Sequence, residues 1–209
     1  MPTEPSIELK GRGGQTSLTD LDEINRILSQ IGSRVWLLNL SGNDARILDL
    51  LSKDTLTSEE IDQVKAQFLL SRERLVDVIR EAGREPHVPG GGALHTHVMP
   101  HDYWYPNLFV AKAGEDYSSY DTYHINHSAD NVGVDEVAQM LSGSGLIIRH
   151  LLSDRSEISV HLNCSEPGQG WLLTHDGNRP HIGSFSSASV GSKMLVQVIG
   201  PQEWTMNYL

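Results

Sequence analysis

Glu136 precedes the apolar run Val137 to Leu141, and Ser142-Gly143-Ser144-Gly145 separates that run from a second one, Leu146 to Leu151. A glycine-rich tetrapeptide between two short apolar runs predicts a β-hairpin, with the carboxylate at the start of its first strand. Such a glutamate is either an edge residue or a metal ligand. Imidazoles lie on both sides of it in the chain. Upstream, Tyr123-His124-Ile125-Asn126-His127 reads as a strand. His124 and Asn126 share one face of it, and His127 faces away unless a bulge turns it inward. Downstream, Gly177-Asn178-Arg179-Pro180-His181 reads as a turn that delivers His181 to the start of a strand. Carboxylate and imidazole form a borderline-hard donor set, suited to Fe(II), Ni(II), Mn(II) or Zn(II). The one cysteine, Cys164, excludes a cysteine-based zinc site and an intrachain disulfide.

Other histidines compete for the same role. His95 and His97 have the spacing of two ligands on one strand face, with His101 after Pro100. No carboxylate follows them at a useful distance, so a polar loop is the favoured reading. His175, beside Asp176, is an alternative to His181 as the late ligand. His150 and His161 fall inside strand runs and read as ordinary barrel or surface positions. Tyr103, Trp104, Tyr105 and Phe109 form an aromatic group suited to core or lid packing. Met140 and Trp171 are candidates for an apolar pocket wall.

The elements that must hold these residues differ between the two halves of the chain. Residues 1–16 are polar and read as a flexible N-terminus. Residues 17–85 read as helical. Leu18, Leu21, Ile24, Ile27, Leu28 and Ile31 recur at helical spacing, and Thr57 with Glu60 forms a capping-box signal. That signal opens a helix predicted over Ser58 to Ala82, stopped by Gly83. Val35 to Leu40 is a short apolar run that fits a strand or a helical turn. After Pro86, Pro89 and Gly90-Gly91-Gly92 the texture changes to short β-type runs. Residues 86–209 therefore read as a β-sandwich or barrel, which can bring ligands from separate strands to one mouth.

Composition narrows the partners. The net charge of −11 disfavours nucleic acid. No apolar run is long enough to span a bilayer, and the start of the chain lacks a signal-peptide core. A cytoplasmic protein is expected. Nine of the ten histidines follow Val88, which localises the chemistry to the second half.

Asp135 to Leu146, Pro180-His181, and the ending Val196 to Trp204 together resemble the acireductone dioxygenases, small cupin enzymes. The likeness spans about Tyr105 to Trp204, and the helical run before the barrel fits the same order of elements. It implies a cupin-type double-stranded β-helix, or jelly-roll, barrel with an N-terminal helical region. It implies a divalent metal, Fe(II) favoured over Ni, Mn or Zn, held by Glu136 and His181. The family's histidine pair just before the glutamate has no match here, where Asn131 and Val132 lie nearby, so His124 and His127 are the expected upstream ligands. The family's arginine two residues after the glutamate is Ala138. The implied activity is a metal-dependent dioxygenase acting on a small chelating enediol or keto acid with O₂. Two other expectations stand beside it: a cupin-like binding or regulatory module without turnover, and a metal-dependent isomerase or lyase. Homodimers are common among cupins and are compatible with this chain.

Overall fold

One 17-residue strand, Asp135–Leu151, runs through the middle of the molecule and belongs to both of its sheets. The structure is a computed structural model that describes residues 6–11, 17–99, 103–113, 115, 122–164, 168–186 and 189–209. In chain order its first elements are β1 (Ser6–Gly11), β2 (Ser17–Leu18), α1 (Leu21–Leu28), β3 (Arg34–Asn39), α2 (Ala45–Ser52), α3 (Ser58–Phe68) and α4 (Arg72–Glu81). Short strands follow: β4 (Ala93–Leu94), β5 (His97–Met99), β6 (Tyr103–Trp104), β7 (Asn107–Val110) and β8 (His124–His127). The long strand is β9, and β10 (Glu157–Cys164), β11 (Gln169–Asp176), β12 (His181–Phe185), β13 (Lys193–Gly200) and β14 (Glu203–Tyr208) complete the fold.

The first half of β9 lies between β11 and β13, with β3 beyond β11 and β7 beyond β13. Its second half lies between β10 and β12, and that sheet continues to β8, β14, β5 and β6 on one side and β1 and β2 on the other. The hairpin predicted at Gly143–Gly145 does not form. Each half of β9 finds its own pair of neighbours, so the chain bends from one sheet to the other without reversing. Gly143 and Gly145 take the bend with φ of 89° and 78°. A Cβ on Gly143 would sit 2.6 Å from the Ser192 Cα, so only glycine fits there.

Alternation along β9 divides two cores. Ala138 and Met140 join Leu146, Ile148, Leu162 and Val198 inside the barrel. Val137 and Leu141 point the other way and are covered by helices: Leu141 by α2 and α3 through Ile47, Leu51 and Phe68, Val137 by α4 through Leu75 and Ile79. The mainly β architecture with helices ahead of the barrel is the one expected. One stretch differs: residues 6–11, read as flexible, form β1 on β10. Of the two readings of the apolar run Val35 to Leu40, the strand is the one that forms, as β3 on β11.

The capping box is present, with the Glu60 amide on Thr57 Oγ1 at 3.3 Å and the Thr57 amide on Glu60 Oε2 at 2.8 Å. The helix it opens ends at Phe68, however, and α4 restarts after Ser71, whose hydroxyl accepts from the Arg74 amide. The break is stabilised from the sheet. Gln139 Nε2 donates to the Phe68 carbonyl at 2.7 Å, and Gln197 bonds both the amide and the carbonyl of Leu70. Backbone groups freed by the break are thus satisfied by two buried glutamines.

Arg84, after α4, fastens this layer to the barrel mouth. Its guanidinium forms an ion pair with Asp135 and donates to the carbonyls of Gly32 and His175, at 2.9 and 2.8 Å. The second Asp135 oxygen accepts the His87 amide at 2.9 Å. Burial pushes Asp135 above its ordinary value, and Arg84 offsets part of that. Arg84→Met leaves a wholly buried carboxylate without its cation, which is expected to cost about 3–5 kcal/mol in urea unfolding. Arg84→Met/Asp135→Leu should recover much of the loss. A single variant within about 1 kcal/mol of wild type would mean that water or another cation reaches Asp135.

Candidate metal centre

Cross-strand pairing assembles the site. Glu136 on β9 is the register partner of His175 on β11. His181, the first residue of β12, pairs with His124 of β8 on one side and with His150 of β9 on the other. Directly opposed residues on one face meet, so these three pairs place five ionisable side chains at one end of the barrel. The turn between β11 and β12 delivers His181 to the start of its strand, as expected, and packs its first residue, Gly177, against Glu136. A Cβ on Gly177 would lie 2.8 Å from Glu136 Oε1 and 2.7 Å from Val134 Cγ2.

Glu136, His175 and His181 each offer a ligand atom within 4.8 Å of the others. Glu136 Oε1 is 3.4 Å from His181 Nε2, and Oε2 is 3.4 Å from His175 Nε2. Neither imidazole nitrogen makes a hydrogen bond, although both are buried. His181 Nδ1 donates to the Arg179 carbonyl at 2.8 Å. A carbonyl can only accept, so Nδ1 carries a proton, and Nε2, turned toward the carboxylate, is the nitrogen available to a cation. That is the arrangement of a metal-binding imidazole held by an outer partner. Asn126 Nδ2 donates to Glu136 Oε1 at 2.6 Å and holds the carboxylate in place. Two buried nitrogens without hydrogen-bond partners, facing one carboxylate, fit a divalent cation, because the cation would satisfy all three at once.

Charge balance within the group is settled by the carboxylate. Burial pushes Glu136 up, but His181 and His175 outweigh it and hold the group well below its ordinary value. Burial pushes His181 down, and Glu136 with the Arg179 carbonyl overcomes it and raises the ring. His175 and His150 are lowered, first by burial and then by neighbouring imidazoles. His124 is pushed down to about 4, mainly by burial and next by His181.

Of the expected ligands, Glu136 and His181 stand together and His124 stands beside them, its ring centroid 4.4 Å from that of His181. His127 does not join them. Strand alternation turns it away, and its ring bonds the Ser128 carbonyl at 2.7 Å and contacts Asn207 at 3.3 Å. No bulge brings it inward. His175, weighed as a substitute for His181, lies in the group in addition to it. His97 stacks on the exposed Trp104 at the sheet edge, and His95 precedes it in a left-handed turn. His101 lies outside the described residues. His150, read as an ordinary barrel or surface position, lies at the site, and so does Asn126. Asn126 shared a face with His124 in the strand reading, and that was the one available signal.

A cavity of about 350 Å³ opens beside Glu136, His124, His175 and His181. Its wall is mostly apolar, with Tyr105, Phe109, Ile148, Phe185, Met194 and Met206, and with Lys112 and Glu115 among the few charged residues. Met140 and Trp171, expected on this wall, are packed in the barrel core instead.

Acid should loosen the metal-free protein here. His124, His150 and His175 take up protons more readily when unfolded, near 6.5, than when folded. Below that value the unfolded chain binds more protons, so the stability these groups contribute at neutral pH is lost as pH falls. For His124 the window runs from 6.5 down to about 4. The urea midpoint of metal-free protein should fall across it, and less steeply in His124→Gln. An unchanged slope in that variant would mean His124 is solvated.

No protein-family model matches the sequence, and no curated protein matches it. Among solved structures, an acireductone dioxygenase from Bacillus anthracis with a cadmium ion in its active centre matches with a TM-score of 0.57 and 16% identity. The match covers 95% of this chain and 94% of that one. The chain thus has a cupin-type fold, a mainly β barrel preceded by helices.

Proposed function

We propose that this protein is a metal-dependent cupin enzyme, an oxygen-using dioxygenase acting on a small chelating substrate of the enediol or keto-acid kind. The observation that carries the reading is the convergence of Glu136, His175 and His181, with two unpaired buried nitrogens, at the wall of an apolar cavity. The cadmium-bearing acireductone dioxygenase of the same fold supports it. Glu136, His175 and His181 would hold the metal, and His124 is placed to add a fourth donor. When bound, a divalent ion, with Fe(II) favoured, supplies Lewis-acid and redox chemistry. His181 is held in the binding tautomer by the Arg179 carbonyl, and Glu136 is held by Asn126. Tyr105, Phe109 and Phe185 keep water from the substrate's body. The absence of a cationic side chain at Ala138 fits a substrate whose polar end is the chelating one. Among the described residues no helix is long and apolar enough to cross a membrane, and a cytoplasmic location is part of the proposal.

Metal analysis and an oxygen electrode test the reading. Wild type reconstituted anaerobically with Fe(II) should hold about one equivalent, and Glu136→Ala/His181→Ala should hold none. Loss of two ligands must exceed the roughly 10–100-fold weakening that follows loss of an outer partner. A panel of enediols and 2-keto acids should then give oxygen uptake only with the loaded wild type. Equal, negligible metal in both proteins sinks the site. Metal and ligand binding without oxygen uptake assigns the barrel to a binding module, and turnover under argon to an isomerase or lyase.

A further inference from the structure

An imidazole that binds a metal through one nitrogen must place its other N–H on an acceptor. His181 does so through the Arg179 carbonyl. His175 does not. Its Nε2 faces Glu136, and its Nδ1 is buried without a hydrogen-bond partner. His150 stands beside it. This ring comes from the second half of β9, is almost wholly buried, and also leaves its Nε2 without a partner. The two ring centroids are 5.6 Å apart, with the planes at 73°. Imidazoles joined by a direct N–H···N bond of ~3 Å have centroids roughly 5 Å apart. A small ring rotation therefore satisfies both orphaned nitrogens at once, since one ring can donate and the other accept.

We propose that His150 is a positioning residue for the metal centre, its Nε2 accepting the Nδ1–H of His175 and so locking His175 in the tautomer that points Nε2 at Glu136 and the metal. His150 then keeps its own proton on Nδ1. The inference rests on the reading of Glu136, His175 and His181 as ligands. It explains why a strand-interior histidine occupies a buried position that leucine or phenylalanine would fill at less cost in desolvation.

The test uses the full chain, with Co(II) and Zn(II) as probes. His150→Phe should bind Co(II) about 10–100-fold more weakly than wild type, with the one-equivalent stoichiometry kept. His150→Gln, whose carboxamide oxygen can accept the same proton, should recover most of the loss. Nitrogen-15 NMR of histidine-labelled, Zn(II)-loaded protein should show His175 protonated on Nδ1 in wild type and in His150→Gln. Co(II) affinity in His150→Phe equal to wild type overturns the inference, as does an equal loss in both variants. Loss of Co(II) stoichiometry in His150→Phe would make His150 a ligand and overturn it too. If wild type and Glu136→Ala both fail to bind Co(II), the ligand reading fails instead. The tautomer of His175 in metal-free wild type then still decides the hydrogen bond, and needs no variant to fold.

Discussion

The part-buried guanidinium of Arg84 ties together three separate parts of the chain. It meets Asp135 at the start of β9, the His175 carbonyl near the end of β11, and the Gly32 carbonyl ahead of β3. Two of those contacts fall on the residue before Glu136 and on the main chain of His175. A planar, always-charged group with several fixed donors suits this better than lysine does. Net stability is not its main effect, because two charges taken out of water give back much of their attraction as desolvation. What it enforces is register. With Asp135 and His175 both fastened to one rigid fork, Glu136 cannot slide relative to its cross-strand partner.

Around that fixed pair the barrel supplies contrast. One carboxylate, Glu136, and the imidazoles of His124, His175 and His181 sit at one end of a cavity walled by aromatic and thioether side chains. Electrostatic attraction to a cation is strong in such surroundings and there is little water to compete. Among the described residues, buried side-chain atoms without a partner are few; most gather here, on His150, His175, His181 and Asn126, and the others are the hydroxyls of Ser33 and Ser142. The ammonium of Lys193, by contrast, meets the carbonyls of Leu51, Lys53 and Gly191. The contrast marks the barrel end as the place where a partner from outside the chain is needed.

Much of this was legible in the residues. Glu136 and His181 stood out because a carboxylate at a strand start and a histidine after a Gly-Asn-Arg-Pro turn are local patterns. The capping box at Thr57 was visible for the same reason. His175 was harder, because both faces of β11 are buried and the alternation that sorts inward from outward vanishes. His150 and Asn126 matter only through cross-strand neighbours, which no local pattern records. The break between α3 and α4 was hidden because Ser71 caps a helix only once Gln139 and Gln197 reach over from the sheet. Gly143 and Gly145 misled for a related reason. Two glycines between apolar runs look alike whether the chain reverses or merely bends, and the choice is made by strands far away in sequence.

That bend has a consequence for how the chain can change length. A hairpin loop accepts an extra residue, because its two strands keep their own pairing. Here the inward positions keep one parity across the glycines, from Glu136, Ala138 and Met140 to Leu146, Ile148 and His150. One inserted or deleted residue between Glu136 and Leu146 would turn every side chain of one half to the opposite face. Relatives of this protein should therefore vary freely in the loops on either side of β9 while the number of residues from Glu136 to His150 stays the same. That count is a ruler by which distant kin can be recognised when few individual residues are shared.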